Sequence, residues 1–483
     1  MPADESSAKL IFASDQANHN FARVLGDLRR SRLSITHRLQ SIVRDADFVA
    51  DVAAHYPGFP VVANERCGSW YVRPTLKCGS AYFKSTDGHT GQWKFSLRRL
   101  NLHLLSLVRE SGTGSCILVD STRRGKRMPD ALSKTIPIWC CVLNRARFPD
   151  DTDSHTLYTP PGVVSASEHS QMLARVPQFV ENLLGLGILT SGDSEIRRCK
   201  PLRPVWVTPD MPWPDVESLR DRFDVILCCT SSRVIEADEN ADGTGDYIQG
   251  AADDTENWAN GLTPDLFWAN HEQLLESTEA DIPALIQAIS VVSTASTTSA
   301  TSVDSPPDQT WSSTAITPYL AAGQWTGPSP PAPPATSANV CQIVFIRQTT
   351  DAATWARSPA YMVVGLGKQD KIAGRTLRYA LPKICSFVAA YLKVAGTTLH
   401  EPKVQVLCPT GRDISIGTAL ALLCYCFNAA GEPKTADALC PQAVFNKDVI
   451  RVRLARIMAA MPHANPSRAT LQSVNSFLMD YRD

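Results

Sequence analysis

Apolar residues follow two periods along this chain, and the switches between them mark its elements. Leu28, Leu33, Ile35, Leu39, Ile42, Val43 and Phe48 recur at helical spacing with charges between them, which predicts a helix over residues 28–54. Similar patterns predict helices over 93–108 and over 176–189, the latter with Pro177 in its first turn. Short apolar runs of strand length occur at 70–72, 81–83, 116–119, 204–207, 224–229 and 404–407. Strands alternating with helices argue an α/β chain.

Length and composition divide that pattern. At 483 residues the chain is long enough for two domains, each with its own core. Residues 293–338 are dominated by Ser, Thr, Ala and Pro and end in GPSPPAPPATSA, which reads as a partly extended linker. The expected organisation is an N-terminal α/β domain over 1–289, a linker over 290–339 and a second α/β domain over 340–483. The N-terminus lacks an apolar signal core, and no run of eighteen apolar residues occurs, so the cytoplasm is the expected location, with the nucleus as the alternative, and no membrane is implied. The 14 cysteines form no CxxC pair and read as reduced core thiols.

Charge sharpens the picture. The whole chain carries −1, yet residues 66–147 hold fifteen basic and four acidic residues, a balance of +11. Trp70, Tyr71, Tyr82, Phe83, Trp93 and Phe95 are interleaved with these cations, as suits a polyanion bearing bases or sugars. Arg73, Lys94, Arg98 and Arg99 are candidate contacts to such a polyanion in this window.

Two loops inside it have the grammar of anion sites. The run 116–119 ends at Asp120-Ser121-Thr122, then Arg123, Arg124, Lys126 and Arg127 surround Gly125, and Pro129-Asp130 opens a helix carrying Lys134. A strand, a cationic glycine turn and a helix start together offer N–H groups, a helix dipole and guanidinium forks to phosphate. A solvated basic loop is the alternative. Residues 84–92 form a second polar glycine loop, with Lys84, Ser85, Thr86 and His89 as possible contacts. Further on, Asp246, Asp253, Asp254 and Glu256 are oxygen donors of the kind Mg²⁺ prefers, or a solvated face at a helix start; Asp253 and Asp254 are the metal candidates.

The second domain centres on VQVLCPTGRDISIGTALALLCYCF, a strand, a loop over 408–415 and a helix from about Ile416. Its spacing resembles the loop of cysteine phosphatases, with Cys408, Gly411 and Ser415 in matching places. Leu407 stands where those enzymes have histidine, and Ile414 where they have the phosphate-clamping arginine. The expectation is a loop that binds phosphate without hydrolysing it, through Cys408, Gly411, Arg412, Asp413 and Ser415.

The blocks KSTDGHTGQWKFSLRRLN, DSTRRGKRMPDALSKTIPIW, DYIQGAADDTENWANGLTPDLFW, CPTGRDISIGTALAL and NPSRATLQSVNSFLM together resemble the initiator-tRNA 2′-O-ribosyl phosphate transferases of fungi and plants. The resemblance implies a dual-specificity-phosphatase-like C-terminal domain. It implies transfer of 5-phosphoribose from phosphoribosyl pyrophosphate to the 2′-hydroxyl of adenosine 64 in initiator methionine tRNA, which bars that tRNA from elongation. Such transfer passes through an oxocarbenium-like state and needs pyrophosphate neutralised, a 5-phosphate held and a hydroxyl oriented. Asp87, His89 and Asp120 are the candidates for the last task, with Arg123 against developing charge. Lys84, Ser85, Thr86, Arg124, Lys126, Arg127 and Lys134 are candidates for the donor's phosphates, Mg²⁺ is the expected cofactor, and no stable protein partner is implied. The usual phosphoribosyltransferase signature, two acidic residues before a Thr-Gly loop, is absent. The rival reading is a non-catalytic tRNA- or phospho-ligand-binding protein with a degenerate phosphatase domain.

Overall fold

A computed structural model describes residues 34–84, 91–189, 199–235, 247–296, 311–327, 329–333, 339–367, 371–398, 402–434 and 445–479. They fall into two compact units: one of residues 1–95, 104–181 and 193–301, the other of 96–103, 182–192 and 302–483.

The first unit is built on five parallel strands, β1 (Val61–Asn64), β2 (Lys77–Ala81), β3 (Ser115–Asp120), β4 (Leu202–Val207) and β5 (Asp224–Thr230), in the order β2-β1-β3-β5-β4. β3 and β5 are buried on both faces, which is why they read as continuous apolar runs. Helix α1 (Ile35–His55) is capped by Ser34, whose hydroxyl accepts from the His37 N–H at 3.1 Å. It turns Leu39, Ile42, Ala46, Val49 and Val52 into the core that also holds Val61, Ile117, Val119 and Leu227. The order places a switch point between β1 and β3, since the chain runs outward from β1 to β2 and then returns to β1's other side. Ligands of open α/β sheets bind beyond the strand carboxyl ends at such a point.

Several expected elements differ. Residues 28–33 lie outside the described residues. Residues 70–72 are not a strand, because Gly68–Trp70 forms a 3₁₀ turn and the strand is β2. The helix expected over 93–108 shrinks to α2 (His103–Glu110), with Asn101 at φ +51 just before it. Pro129-Asp130 leads into a π-helical turn, Ala131–Thr135, ahead of α3 (Ile136–Arg147). Helix α4 (Ala166–Leu184) starts ten residues earlier than the apolar pattern suggested, so Pro177 lies in its interior.

The second unit has six strands: β6 (Trp311–Thr317), β7 (Leu320–Trp325), β8 (Val340–Ile346), β9 (Ala356–Ser358), β10 (Tyr361–Gly365) and β11 (Lys403–Cys408). Their order is β6-β7-β11-β8-β10-β9, parallel at the centre and antiparallel at both edges. β6 and β7 lie inside the stretch read as linker, which is therefore corrected: 311–325 is a hairpin. Its small residues hid the signal, but Leu320, Ala322 and Trp325 are buried and Leu320–Gln324 pairs with Val404–Cys408 of β11. β11 thus sits between β7 and β8, and the loop leaving it is at this sheet's own switch point. The described cysteines form no disulfide with one another, and all but Cys78 are buried.

Candidate functional site

At the carboxyl ends of β1 and β3 the sequence has placed a buried polar knot. Asp120, the last residue of β3, is fully buried. Its Oδ2 accepts from Asn64 Nδ2 at 2.8 Å, and its Oδ1 accepts from the Ser121 N–H at 2.8 Å and the Cys67 thiol at 3.1 Å. Burial pushes the Asp120 carboxyl above its ordinary range, against the pull of Arg66, Asn64 and Cys67. Arg66 extends the knot outward: Nε lies 3.7 Å from Asp120, Nη2 donates to Ser121 O at 2.8 Å, and Nη1 faces Asp253 Oδ1 at 3.3 Å. Asp120 was a candidate for direct catalysis; with no exposed surface and its oxygens engaged, it instead fixes where β3 hands over to the basic turn.

Beyond the knot the chain emerges into solvent. Ser121 and Thr122 are buried, whereas Arg123, Arg124 and Arg127 are exposed and have no ion pair among the described residues. The turn closes with Lys126 N–H donating to Arg123 O at 3.2 Å, Gly125 adopting φ +82. A remote segment props it from behind. Gln249 Nε2 donates to Lys126 O at 2.7 Å, and Gly250, at φ +70, approaches so closely that a β-carbon there would lie 2.8 Å from Thr122 O. That segment is tied down in turn: Tyr247 Oη donates to Asp45 Oδ1 at 2.7 Å, Ser41 Oγ accepts from Ile248 N–H, Arg38 donates to Ala251 O and Tyr71 Oη accepts from Ala252 N–H. Burial holds Asp45 well above the ordinary carboxyl range. Sequence reasoning missed Asn64, Asp45, Tyr247 and Gln249; only the adjacency of Gly250 to an aspartate pair hinted at that prop.

The basic turn forms one wall of a cavity of about 700 Å³. Arg123, Lys126, Arg127 and Lys134 face it, with Asp130, Glu168 and Trp93. Lys134 bridges two of these carboxylates, 2.7 Å from Glu168 Oε1 and 3.4 Å from Asp130 Oδ1. The volume is that of a small-molecule site. The second polar loop starts alongside, since Thr135 Oγ1 donates to Lys84 O at 2.9 Å and Asn64 bonds both ways with the Phe83 backbone. Ser85, Thr86, Asp87 and His89 lie outside the described residues.

Other candidates do not gather here. The +11 window is not one surface, because chain neighbours need not be neighbours in space. Arg73 pairs with Asp47 at 2.5 Å and lies over the Trp268 ring, while Lys94 is exposed. Arg98 and Arg99 belong to the second unit: Arg98 donates to Pro466 O, and Arg99 to Ala464 O at 2.9 Å and to the Asn465 side chain. Asp253 and Asp254 do not fit a divalent cation. Asp253 is already matched by Arg66, Asp254 sits at φ +53 ahead of a short helical turn, and the described residues hold no group of three acidic, His or Cys side chains spaced for a metal.

The loop after β11 curls around its cysteine. Gly411 adopts φ +63, and its N–H points at Cys408 Sγ, 3.2 Å away. Cys408 is fully buried and donates to Ser415 Oγ at 3.1 Å. The helix expected from about Ile416 begins two residues earlier, as Ile414–Tyr425 led by Asp413, so Ser415 lies inside it. Asp413 Oδ1 accepts from the Ser467 N–H at 2.8 Å, and Arg412 O from the Asn465 N–H at 2.7 Å, so the NPSRAT block clamps the loop. The Arg412 side chain is exposed.

Residues 28–291 match the model described as the Rit1 N-terminal domain, and residues 360–478 match the Rit1 dual-specificity-phosphatase-like domain. The chain is 32% identical to the tRNA A64-2′-O-ribosylphosphate transferase of Saccharomyces cerevisiae, covering 95% of each chain. It is 36% identical to an uncharacterised protein of Schizosaccharomyces pombe, over 92% of this chain and 94% of that one. A phosphatase-domain protein of Entamoeba histolytica matches 34% of this chain at 13% identity and a TM-score of 0.21, too weak a likeness to bear on the fold.

Proposed function

The chain belongs to the Rit1 family, and from that premise we propose that it is the tRNA ribosylphosphate transferase its sequence resembles. It moves 5-phosphoribose from phosphoribosyl pyrophosphate to the 2′-hydroxyl of adenosine 64 in initiator methionine tRNA. The observation that carries the donor's placement is the cationic turn 123–127 lining the 700 Å³ cavity of the first unit. In the reaction the bond from C1 to pyrophosphate breaks, the 2′-oxygen bonds to C1, and the hydroxyl proton leaves to a base. Arg123 and Arg127, on the cavity wall and without an ion pair among the described residues, would take the charge that gathers on the departing pyrophosphate. The Asp120 knot and the Gly250 prop keep the turn from collapsing onto the sheet.

Mg²⁺ would come with the donor's pyrophosphate rather than from an all-protein cage, a habit of this ion. The exposed Lys94 is a candidate tRNA contact, and the loop 408–415 a phosphate-binding rather than hydrolytic element. We place the enzyme in the cytoplasm with its tRNA; among the described residues no helix is long and apolar enough to cross a membrane. Incubating the purified protein with initiator tRNA, labelled phosphoribosyl pyrophosphate and Mg²⁺ should label the tRNA. Binding of tRNA without label would leave only the binding-protein reading.

A further inference from the structure

The cavity beside the basic turn contains a carboxylate that a purely phosphate-binding site would not place there. Glu168 stands in the first turn of α4, on the same cavity as Arg123, Lys126 and Arg127. Its Oε1 accepts from Lys134 Nζ at 2.7 Å and from Trp93 Nε1 at 3.1 Å. Those two donors fix the side chain, and Oε2 has no partner among the described residues. A carboxylate oxygen can only accept hydrogen bonds, and it repels phosphate. What it selects is therefore a group of hydroxyl donors lying between phosphates, and a ribose ring phosphorylated at both ends has that pattern.

We propose that Glu168 recognises the vicinal hydroxyls of the donor's ribose while the basic turn holds its phosphates. The assignment rests on reading this cavity as the donor site. It supplies, from a helix remote in sequence, the acidic sugar contact that the chain's first strands do not encode. Glu168 is thus a specificity-determining residue. Lys134 and Trp93 are positioning residues that act through it.

Calorimetric titration of the full-length protein with ribose 5-phosphate, 2-deoxyribose 5-phosphate and inorganic pyrophosphate tests this. The wild type should bind the ribose compound about tenfold tighter than the deoxy one, the scale of one hydrogen bond to a charged acceptor. Glu168→Gln keeps an oxygen for Lys134 and Trp93 but weakens the acceptor. It should bind both sugars at the deoxy level and hold pyrophosphate as the wild type does, with an unchanged melting temperature. Persistence of the ribose preference in Glu168→Gln overturns the proposal, as does a wild type that transfers phosphoribose to tRNA yet shows no preference. A wild type that neither transfers nor binds either sugar phosphate overturns the donor-site reading and this one with it.

Discussion

At the scale of single residues, Cys408 is where likeness to phosphatases misleads most. Its thiol has the loop of a nucleophile, yet it is fully buried, gives its hydrogen bond to Ser415, and has Ile414 where the supporting arginine would be. Transfer between a sugar and a 2′-hydroxyl needs no phosphocysteine. Cys408→Ser should therefore keep transfer within about threefold of wild type, since the hydroxyl can make the same bond to Ser415. Turnover with labelled donor checks it; loss of transfer in a folded, tRNA-binding variant would make the thiol chemical. Which residues matter was only partly legible beforehand. Arg123 and Arg127 announced themselves because a strand, a glycine turn and a helix start are local in sequence. Asn64 and Glu168 did not, because their role comes from partners 56 and 34 or more residues away, Asp120 and Lys134.

At the scale of elements, the basic turn is shaped less by its own sequence than by the segment behind it. Gly125 and Gly250 both sit at positive φ, but a β-carbon at Gly125 would meet nothing within 4 Å while one at Gly250 would strike Thr122 O and Arg123 Cα. Gly125→Ala should cost about 1 kcal/mol, the conformational term alone. Gly250→Ala should cost roughly 2–4 kcal/mol, with overpacking added, and should lower transfer further by shifting the turn. Denaturant unfolding of both variants beside their turnover gives the answer; equal costs would mean the contact with Thr122 is soft. The same remoteness explains the misread linker. β6 and β7 are rich in Ser, Thr, Ala and Gly, so neither alternation nor bulk marked them. Their partner β11 lies some eighty residues on, and only that pairing gives them a reason to be strands.

At the scale of the whole molecule, the +11 window overstated the electrostatics. Arg66, Arg73, Lys77 and Lys134 are spent on carboxylates of their own unit, and Arg145 and Arg147 donate to His155 and Cys199 carbonyls. Of the turn's exposed guanidiniums, Arg123 and Arg127 line the cavity. Arg124, which is not among the cavity's lining, should act as a phosphate contact, so Arg124→Ala should reduce the slope of log affinity for tRNA against log salt by about 1. An unchanged slope in filter-binding titrations would remove Arg124 from the RNA surface. The α/β class and the existence of two domains were legible from periodicity and length. The division of the chain between them was not, because the second unit recruits residues 96–103 from far upstream.

That recruitment has a consequence in time. Arg99 grips the carbonyl of Ala464, 365 residues later in the chain. At about 5–20 residues per second, a ribosome takes roughly 20–70 s to travel between them. For that interval the first unit can close its sheet while the eight residues in its midst wait without the partner they are built to hold. The second unit therefore closes only when NPSRAT emerges to receive a segment made long before it.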